Sequence, residues 1–322
     1  MSKRSEWKML GATVVSTVFF VALLWWLDKY EKEPWGLFLG AFFYGLVPAP
    51  ILAIIFEVAG GEVLGTEHLT LGVLAPVVEE ALKGLGVLAI FFLWQREFDG
   101  VMDGVLYGAT VGLGFALTEN LLYLFSPTAW EVMLLRILPF GLNHALFTAF
   151  TGVCLGLARQ SRRPGRWLFL FPLGLGVGIA FHALHNLSVG EGWSGFVLAL
   201  SSDWGGVVLM LVVILLAWRQ ERRWLRQGLA DEVAAGVLTE AECQVLLSLR
   251  RRVRARLWIW RHHGWKAFRL LGRFFNLTTE LAFYKHHLRS RTGGRRPARD
   301  LEDLYQQIGQ VRQELLRLER SG

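Results

Sequence analysis

Apolar residues fill seven windows of the chain, at about residues 9–27, 35–56, 69–93, 100–125, 132–157, 167–189 and 195–218. Each is long enough to cross roughly 30 Å of hydrocarbon as a helix. Short polar connectors separate them, and the apolar run stops after the last. The pattern predicts an all-α, polytopic helical membrane bundle of about seven transmembrane helices over residues 1–220, followed by a helical tail over residues 221–322. Three windows carry small residues at every fourth position. Gly104, Gly108, Gly112 and Ala116 lead to Asn120, Gly174 and Gly178 lead to His182 and Asn186, and His144 and Thr148 lead to Gly152 and Gly156. Such stripes let helix backbones approach closely in lipid, and here each shares its face with polar groups.

Charge on the connectors gives the orientation. Lys29 and Lys32, then Arg96, then Arg159, Arg162, Arg163 and Arg166, then Arg219, Arg222, Arg223 and Arg226 all fall on connectors of one parity. The opposite connectors, residues 57–68, 126–131 and 190–194, hold no Lys or Arg. The positive-inside rule makes the first set cytoplasmic. The tail is then cytoplasmic and the amino terminus, with seven helices, lies outside, against the pull of Lys3, Arg4 and Lys8. The first window follows those cations as a signal peptide would, but it is long, ends in Trp25-Trp26 and lacks a small-residue cleavage site, which predicts a retained helix. Composition agrees with an integral membrane protein: 53% of the residues are hydrophobic and 14 are Trp. The two cysteines, Cys154 in a window and Cys243 in the tail, suggest neither a disulfide nor a thiolate metal site.

The apolar windows are interrupted by ionisable residues. A charge at the centre of an inserted helix costs roughly 2.5–3.5 kcal/mol, so several together mark a functional site. Glu79 and Glu80 lie about ten residues into the third window from its outer end, roughly 15 Å along the axis, with Lys83 one turn further on. Glu119 and Asn120 sit near the outer end of the fourth window, His144 is part-way down the fifth, and His182, His185 and Asn186 occupy the last two turns of the sixth. All fall in the outer half of the bilayer. The spacing of Lys83 from both glutamates allows a neutralising pair. A carboxylate beside a water is a general base, nearby histidines and an Asn can donate to an oxyanion, and one Glu with two His also makes a zinc shell with an open position. Both routes are hydrolytic. HExxH, GxSxG and a Ser-Lys pair are absent.

Several segments in order resemble one family. DKYEKEPW before the second window, EEALK in the third, FDGVMDGVLYGATVGLGFALTENLLY through the fourth, HALFTAFTG in the fifth and FHALHN in the sixth are similar to the PrsW-type intramembrane proteases over roughly residues 1–220. The resemblance implies a bacterial plasma-membrane endopeptidase, glutamate-dependent or metal-dependent and distantly similar to CAAX prenyl-proteases and bacteriocin-processing membrane peptidases. It would cut a single-pass membrane protein, of the anti-sigma-factor class, near the extracytoplasmic face. Matched residue by residue, it gives Glu79, Glu80, Lys83 and Asn186 as catalytic residues and Glu119, His144 and His182 as ligands of zinc or, without metal, as groups that position water. Asn120 and His185 complete the pocket. Glu80 is the favoured base because it shares a face with Pro76 and Gly84.

In the tail, 22 of the 34 Lys and Arg residues follow the last window. The partner this implies is the anionic cytoplasmic leaflet, and no nucleic-acid motif accompanies the charge. Thr239-Glu240-Ala241-Glu242 is a capping box, expected to open a helix running through Arg250–Arg256. Phe274, Leu277, Leu281, Tyr284 and Leu288, and again Leu301, Leu304, Ile308, Val311, Leu315 and Leu318, follow a 3,4 alternation around SRTGGRRP. That predicts an antiparallel hairpin, self-packed or dimerising. Two other functional classes accommodate intramembrane Glu and His, a proton-coupled transporter and a non-catalytic membrane scaffold. An inverted repeat is not visible, and the polar residues cluster at one depth instead of lining a path.

Overall fold

The computed structural model describes residues 3–30, 32–125, 129–290 and 298–321, and all their regular structure is helical. Among the described residues, five helices are long and apolar enough to cross a membrane: Trp7–Leu27, Trp35–Val63, Val101–Tyr123, Trp167–Val189 and Gly192–Ala234. The first lies within α1 (Lys3–Leu27), and the second comprises α2 (Trp35–Leu46) and α3 (Pro48–Leu64). The other three are α6 (Val101–Tyr123), α9 (Trp167–Val189) and α10 (Gly192–Ala234).

The remaining two apolar windows are not plain helices. The third begins with a short turn, α4 (Glu67–Leu69), passes through a π-helical stretch at Thr70–Leu74 and becomes α5 (Ala75–Leu93). The fifth is broken into α7 (Ala129–Ile137) and α8 (Asn143–Arg159). Pro139 and Gly141 sit in the break. Proline disfavours helical backbone at the residue before it and lacks the N–H a helix needs, so the single span expected there is two pieces.

The chain forms two compact units, one of residues up to Asp28 and from Glu33 to Leu215, the other of Lys29, Tyr30, Lys32 and residues from Leu216 onward. In the first, α6 is the central helix, packed on α2 and α8, with α8 also on α9. Its glycines permit this. A Cβ at Gly104 would overlap the Gly152 carbonyl, and one at Gly112 would overlap the His144 carbonyl. The fourfold small-residue rhythm is therefore a backbone-to-backbone contact that fixes the height of His144 on α8 against α6. Asp103, one turn into α6, accepts from the backbone N–H groups of Asp99 at 2.9 Å and Gly100 at 2.6 Å and so caps the helix.

In the second unit α10 is joined by α11 (Glu240–Leu246), α12 (Leu249–Ser290) and α13 (Ala298–Ser321). Thr239 Oγ1 accepts from Glu242 N at 3.2 Å and Glu242 Oε2 accepts from Thr239 N at 2.7 Å, the capping box read from sequence. The helix it opens ends at Leu246, and the arginine-rich stretch belongs to the separate α12. Phe274, Leu277, Leu281 and Tyr284 of α12 and Leu304, Ile308, Val311 and Leu315 of α13 share one core with Leu225 and Leu229. Their connector, SRTGGRRP, lies outside the described residues from Arg291 to Pro297. Buried Glu232 pairs with Lys285 and accepts from the Tyr305 hydroxyl at 3.0 Å.

Candidate active site

On α5, Glu79, Glu80 and Lys83 are all buried, and Lys83 Nζ lies 2.5 Å from Glu80 Oε1 and 3.3 Å from Glu79 Oε2. The expected neutralising pair is a triad. Adjacent helix residues diverge by about 100°, and the two carboxylates face different partners. Both oxygens of Glu80 are engaged. Oε1 meets Lys83 and, at 3.1 Å, His182 Nδ1, while Oε2 accepts from the Thr148 hydroxyl at 2.9 Å. Glu79 Oε2 instead lies 3.9 Å from His144 Nδ1 and 3.9 Å from His182 Nε2.

The two imidazoles stand perpendicular with centroids 5.1 Å apart. Each is braced from behind by a carboxylate. His182 Nδ1 rests on Glu80, which aims Nε2 at Glu79, and His144 Nε2 lies 2.6 Å from Glu119 Oε2, which aims Nδ1 at Glu79. Glu79, His144 and His182 each offer one ligand atom, all within 4.8 Å of one another. Metal-binding histidines nearly always have the second ring nitrogen held in this way, so the donor set and its bracing fit a divalent cation. Lys83 Nζ is also 3.2 Å from His144 Nδ1 and 4.2 Å above the Phe115 ring, so an ammonium lies beside the same donors. Phe147 stacks on His182 with centroids 5.0 Å apart and walls the other side.

Glu119 and Asn120 are tied together by Arg136. Its guanidinium donates to Glu119 Oε2 at 2.7 Å and to Asn120 Oδ1 at 2.5 Å. Asn186 is turned elsewhere and donates to the Leu71 carbonyl at 2.9 Å. The reason is local. In the π stretch the Ala75 N–H goes to the Thr70 carbonyl, which shifts the register so that Leu71 would be answered by residue 76. Residue 76 is proline and has no N–H, and the Asn186 amide supplies the missing donor. His185 is likewise directed away from Glu79: its Nδ1 lies 2.7 Å from Asp203 Oδ2, which also accepts from Asn143 at 2.9 Å.

Arg136, Thr148 and Asp203 were not singled out by sequence as site residues. Arg136 and Asp203 carried a visible signal, since each is an ionisable residue inside an apolar window. Asp203 is 1% exposed, and its Oδ1 is buried without a hydrogen-bond partner among the described residues. Thr148 had no such mark, because a hydroxyl in a small-residue stripe reads as packing.

Comparison with known proteins identifies the family. Residues 33–218 match the model of the PrsW family intramembrane metalloproteases. Protease PrsW of Geobacillus kaustophilus (strain HTA426) is 29% identical over 221 residues, covering 67% of this chain and 90% of that protein. Protease PrsW of Bacillus subtilis (strain 168) is 29% identical over 211 residues, 65% of this chain and 90% of that protein. Protease PrsW of Shouchella clausii (strain KSM-K16) is 32% identical over a shorter 133 residues, 41% of this chain and 61% of that protein. No solved structure matches the chain. A family match spanning every helix that contributes to the Glu/His/His group, in a chain with membrane-spanning helices, leads to one conclusion: the chain belongs to the PrsW family and is an intramembrane protease of bacteria.

Proposed function

We propose that this enzyme is an endopeptidase that hydrolyses a single-pass membrane protein near the extracytoplasmic face, with Glu79, His144 and His182 as the groups that bind the reacting centre. The observation that carries this is the bracing of both imidazoles by separate carboxylates, Glu80 and Glu119, so that their free nitrogens converge on Glu79. The ligand set for a zinc ion becomes Glu79, His144 and His182, with Glu119 behind His144. Bound there, zinc would supply a Lewis acid and bring a water's pKa to about 7. Glu80 has no exposed side-chain surface and no unengaged oxygen, which moves the base away from it. Glu119, 23% exposed, is the carboxylate with access to an incoming water and to a leaving amine.

The place of Lys83 favours a second, metal-free reading at the same site. An ammonium 3.3 Å from Glu79 Oε2 and 3.2 Å from His144 Nδ1 neutralises the pocket without an ion. Glu79 then takes the proton from water, and the Lys83 ammonium, the donor that faces the same pocket, meets the oxyanion. Both readings require Glu79. The substrate class follows the family resemblance: an anti-sigma factor or a similar regulator with one membrane span.

The test is cleavage of a model single-pass substrate by purified enzyme in detergent. Glu79→Gln is expected to abolish cleavage under either reading, and retained proteolysis by that variant would falsify the proposal. Metal content separates the readings. Stoichiometric zinc together with loss of activity on chelation supports the first, whereas metal-free enzyme that is indifferent to chelators supports the second.

A further inference from the structure

The family match ends at residue 218, so the second unit is an addition that the protease fold does not account for. Its surface is uneven. Among the described residues beyond 218, six of the eight exposed large apolar side chains lie between Leu249 and Trp265, all on the first half of α12. Leu249, Val253, Leu257 and Trp260 are spaced by four, four and three residues, so they form one stripe along a single helix face, 39–49% exposed. A flank of the helix about 100° round from the stripe is what anchors it. Arg252 donates to the Leu246 carbonyl and the Thr279 hydroxyl, Ile259 and Ala267 enter the core, and the Arg256 guanidinium lies over Phe268.

Charge accompanies the stripe. From Cys243 to Thr279 the chain has nine Lys and Arg residues and no carboxylate. Arg250, Arg254 and Arg261 lie on the flank next to the apolar row and are exposed. Gly264, at φ 77° and ψ −173°, turns the chain at the end of the stripe, and exposed Trp265 follows. Exposed aliphatic side chains, tryptophans and a cationic border on one face are the composition of a helix that lies in the plane of a membrane interface. A second copy of the same surface would meet it with like charge.

We infer that the face formed by Leu249, Val253, Leu257 and Trp260 with Arg250, Arg254 and Arg261 docks on the anionic cytoplasmic leaflet. The apolar row enters the headgroup boundary and the guanidinium groups meet lipid phosphates. Its sequence position favours this occupant, since the unit follows a membrane-spanning segment directly along the chain and is tethered to lipid by it. Each basic residue near an anionic surface strengthens association roughly fivefold, so three together contribute on the order of a hundredfold.

The experiment uses the full-length protein with Cys154→Ala and Cys243→Ser, reconstituted in nanodiscs, with an environment-sensitive fluorophore on Leu257→Cys. Leu257 is exposed, so the label leaves the core intact. In discs containing phosphatidylglycerol the emission is expected to shift to the blue and to be quenched by doxyl groups on the lipid chains. In phosphatidylcholine discs both effects shrink severalfold, and Arg250→Gln/Arg254→Gln/Arg261→Gln returns the label to a water-like signal in the anionic discs. A label that reports water in both lipids overturns the inference. So does a blue shift without lipid quenching, which would place a protein partner on the face, or one equal in both lipids and unchanged by the triple substitution. The readout does not involve proteolysis, so its failure and that of the protease mechanism are separate.

Discussion

Lys83 carries more at the residue scale than a structural partner of one glutamate. It is 0% exposed between two buried carboxylates, and removing one member of such a group typically costs about 3–5 kcal/mol because an uncompensated buried charge remains. Lys83→Met is therefore expected to lower the thermal unfolding temperature in detergent far more than a neutral substitution at a lipid-facing position such as Leu85→Met. An unchanged midpoint would show that the ion triad contributes nothing. Asp203 makes a second test. Asp203→Ala removes the carboxylate that the Asn143 amide and His185 Nδ1 share and leaves those two, 3.1 Å apart, to each other, a loss of about 1–3 kcal/mol, while Asp203→Asn keeps an acceptor for Asn143 and should be milder. Because Asn143 directly precedes His144, the Ala variant should also depress cleavage, and equal behaviour of the two variants would argue against a role through Asn143.

At the scale of elements, helix contacts set where the chemistry sits. Gly112 meets the backbone of His144, so Gly112→Val would push α8 off α6 and carry His144 away from Glu79. Overpacking of this kind costs about 1–3 kcal/mol, and cleavage should fall more steeply than stability because the ligand geometry moves with the backbone. The π stretch offers a sharper test. Asn186→Ala should destabilise by about 1 kcal/mol through the unanswered Leu71 carbonyl, and Pro76→Ala, which restores a backbone N–H, should recover part of it in the double variant. Additive losses would show that Asn186 does not stand in for the proline. In the tail, burial opposes ionisation of Glu242, but the Thr239 N–H and Arg312 outweigh it and hold its carboxyl below the usual range. A depressed folded-state pKa gives stability that is present above the ordinary glutamate range and lost as pH falls through the lower folded value. The linkage is small because the group is half exposed. Glu242→Gln should flatten the acid limb of tail unfolding, followed by hydrogen exchange at α11.

For the whole molecule, the prediction concerns sidedness. The connectors bearing Arg96, Arg162, Arg163 and Arg166 and the tail carry the cations, so a fluorescent protein fused after Gly322 should fluoresce in the cytoplasm and an alkaline phosphatase fusion there should be inactive. The opposite result would invert the topology and move the Glu/His/His group to the cytoplasmic side.

Much of this was readable along the chain, and for definite reasons. Hydrocarbon penalises every charge, so Glu79, Glu80, Lys83, Glu119, His144 and His182 stood out without any coordinates. The glycine rhythm of α6 and α8 announced a close contact because nothing larger fits between two backbones. The sequence did not show where the fifth window would break, since an apolar window conceals Pro139 within a strong hydropathy signal. It also left Arg136 and Asp203 unused, although the rule that exposed the glutamates applies to them equally.

What the sequence determined by itself was membership: which residues are too costly in lipid to be idle, and which helix faces are small enough to meet. Tertiary structure alone decided their assignment. Two glutamates adjacent in sequence differ by a rotation of about 100° along α5, and only the positions of α8 and α9 settle that Glu80 is locked against Lys83, Thr148 and His182 while Glu79 faces both imidazoles. Periodicity names the face of a helix, but the partner on that face comes from another helix, and no one-dimensional pattern contains its distance.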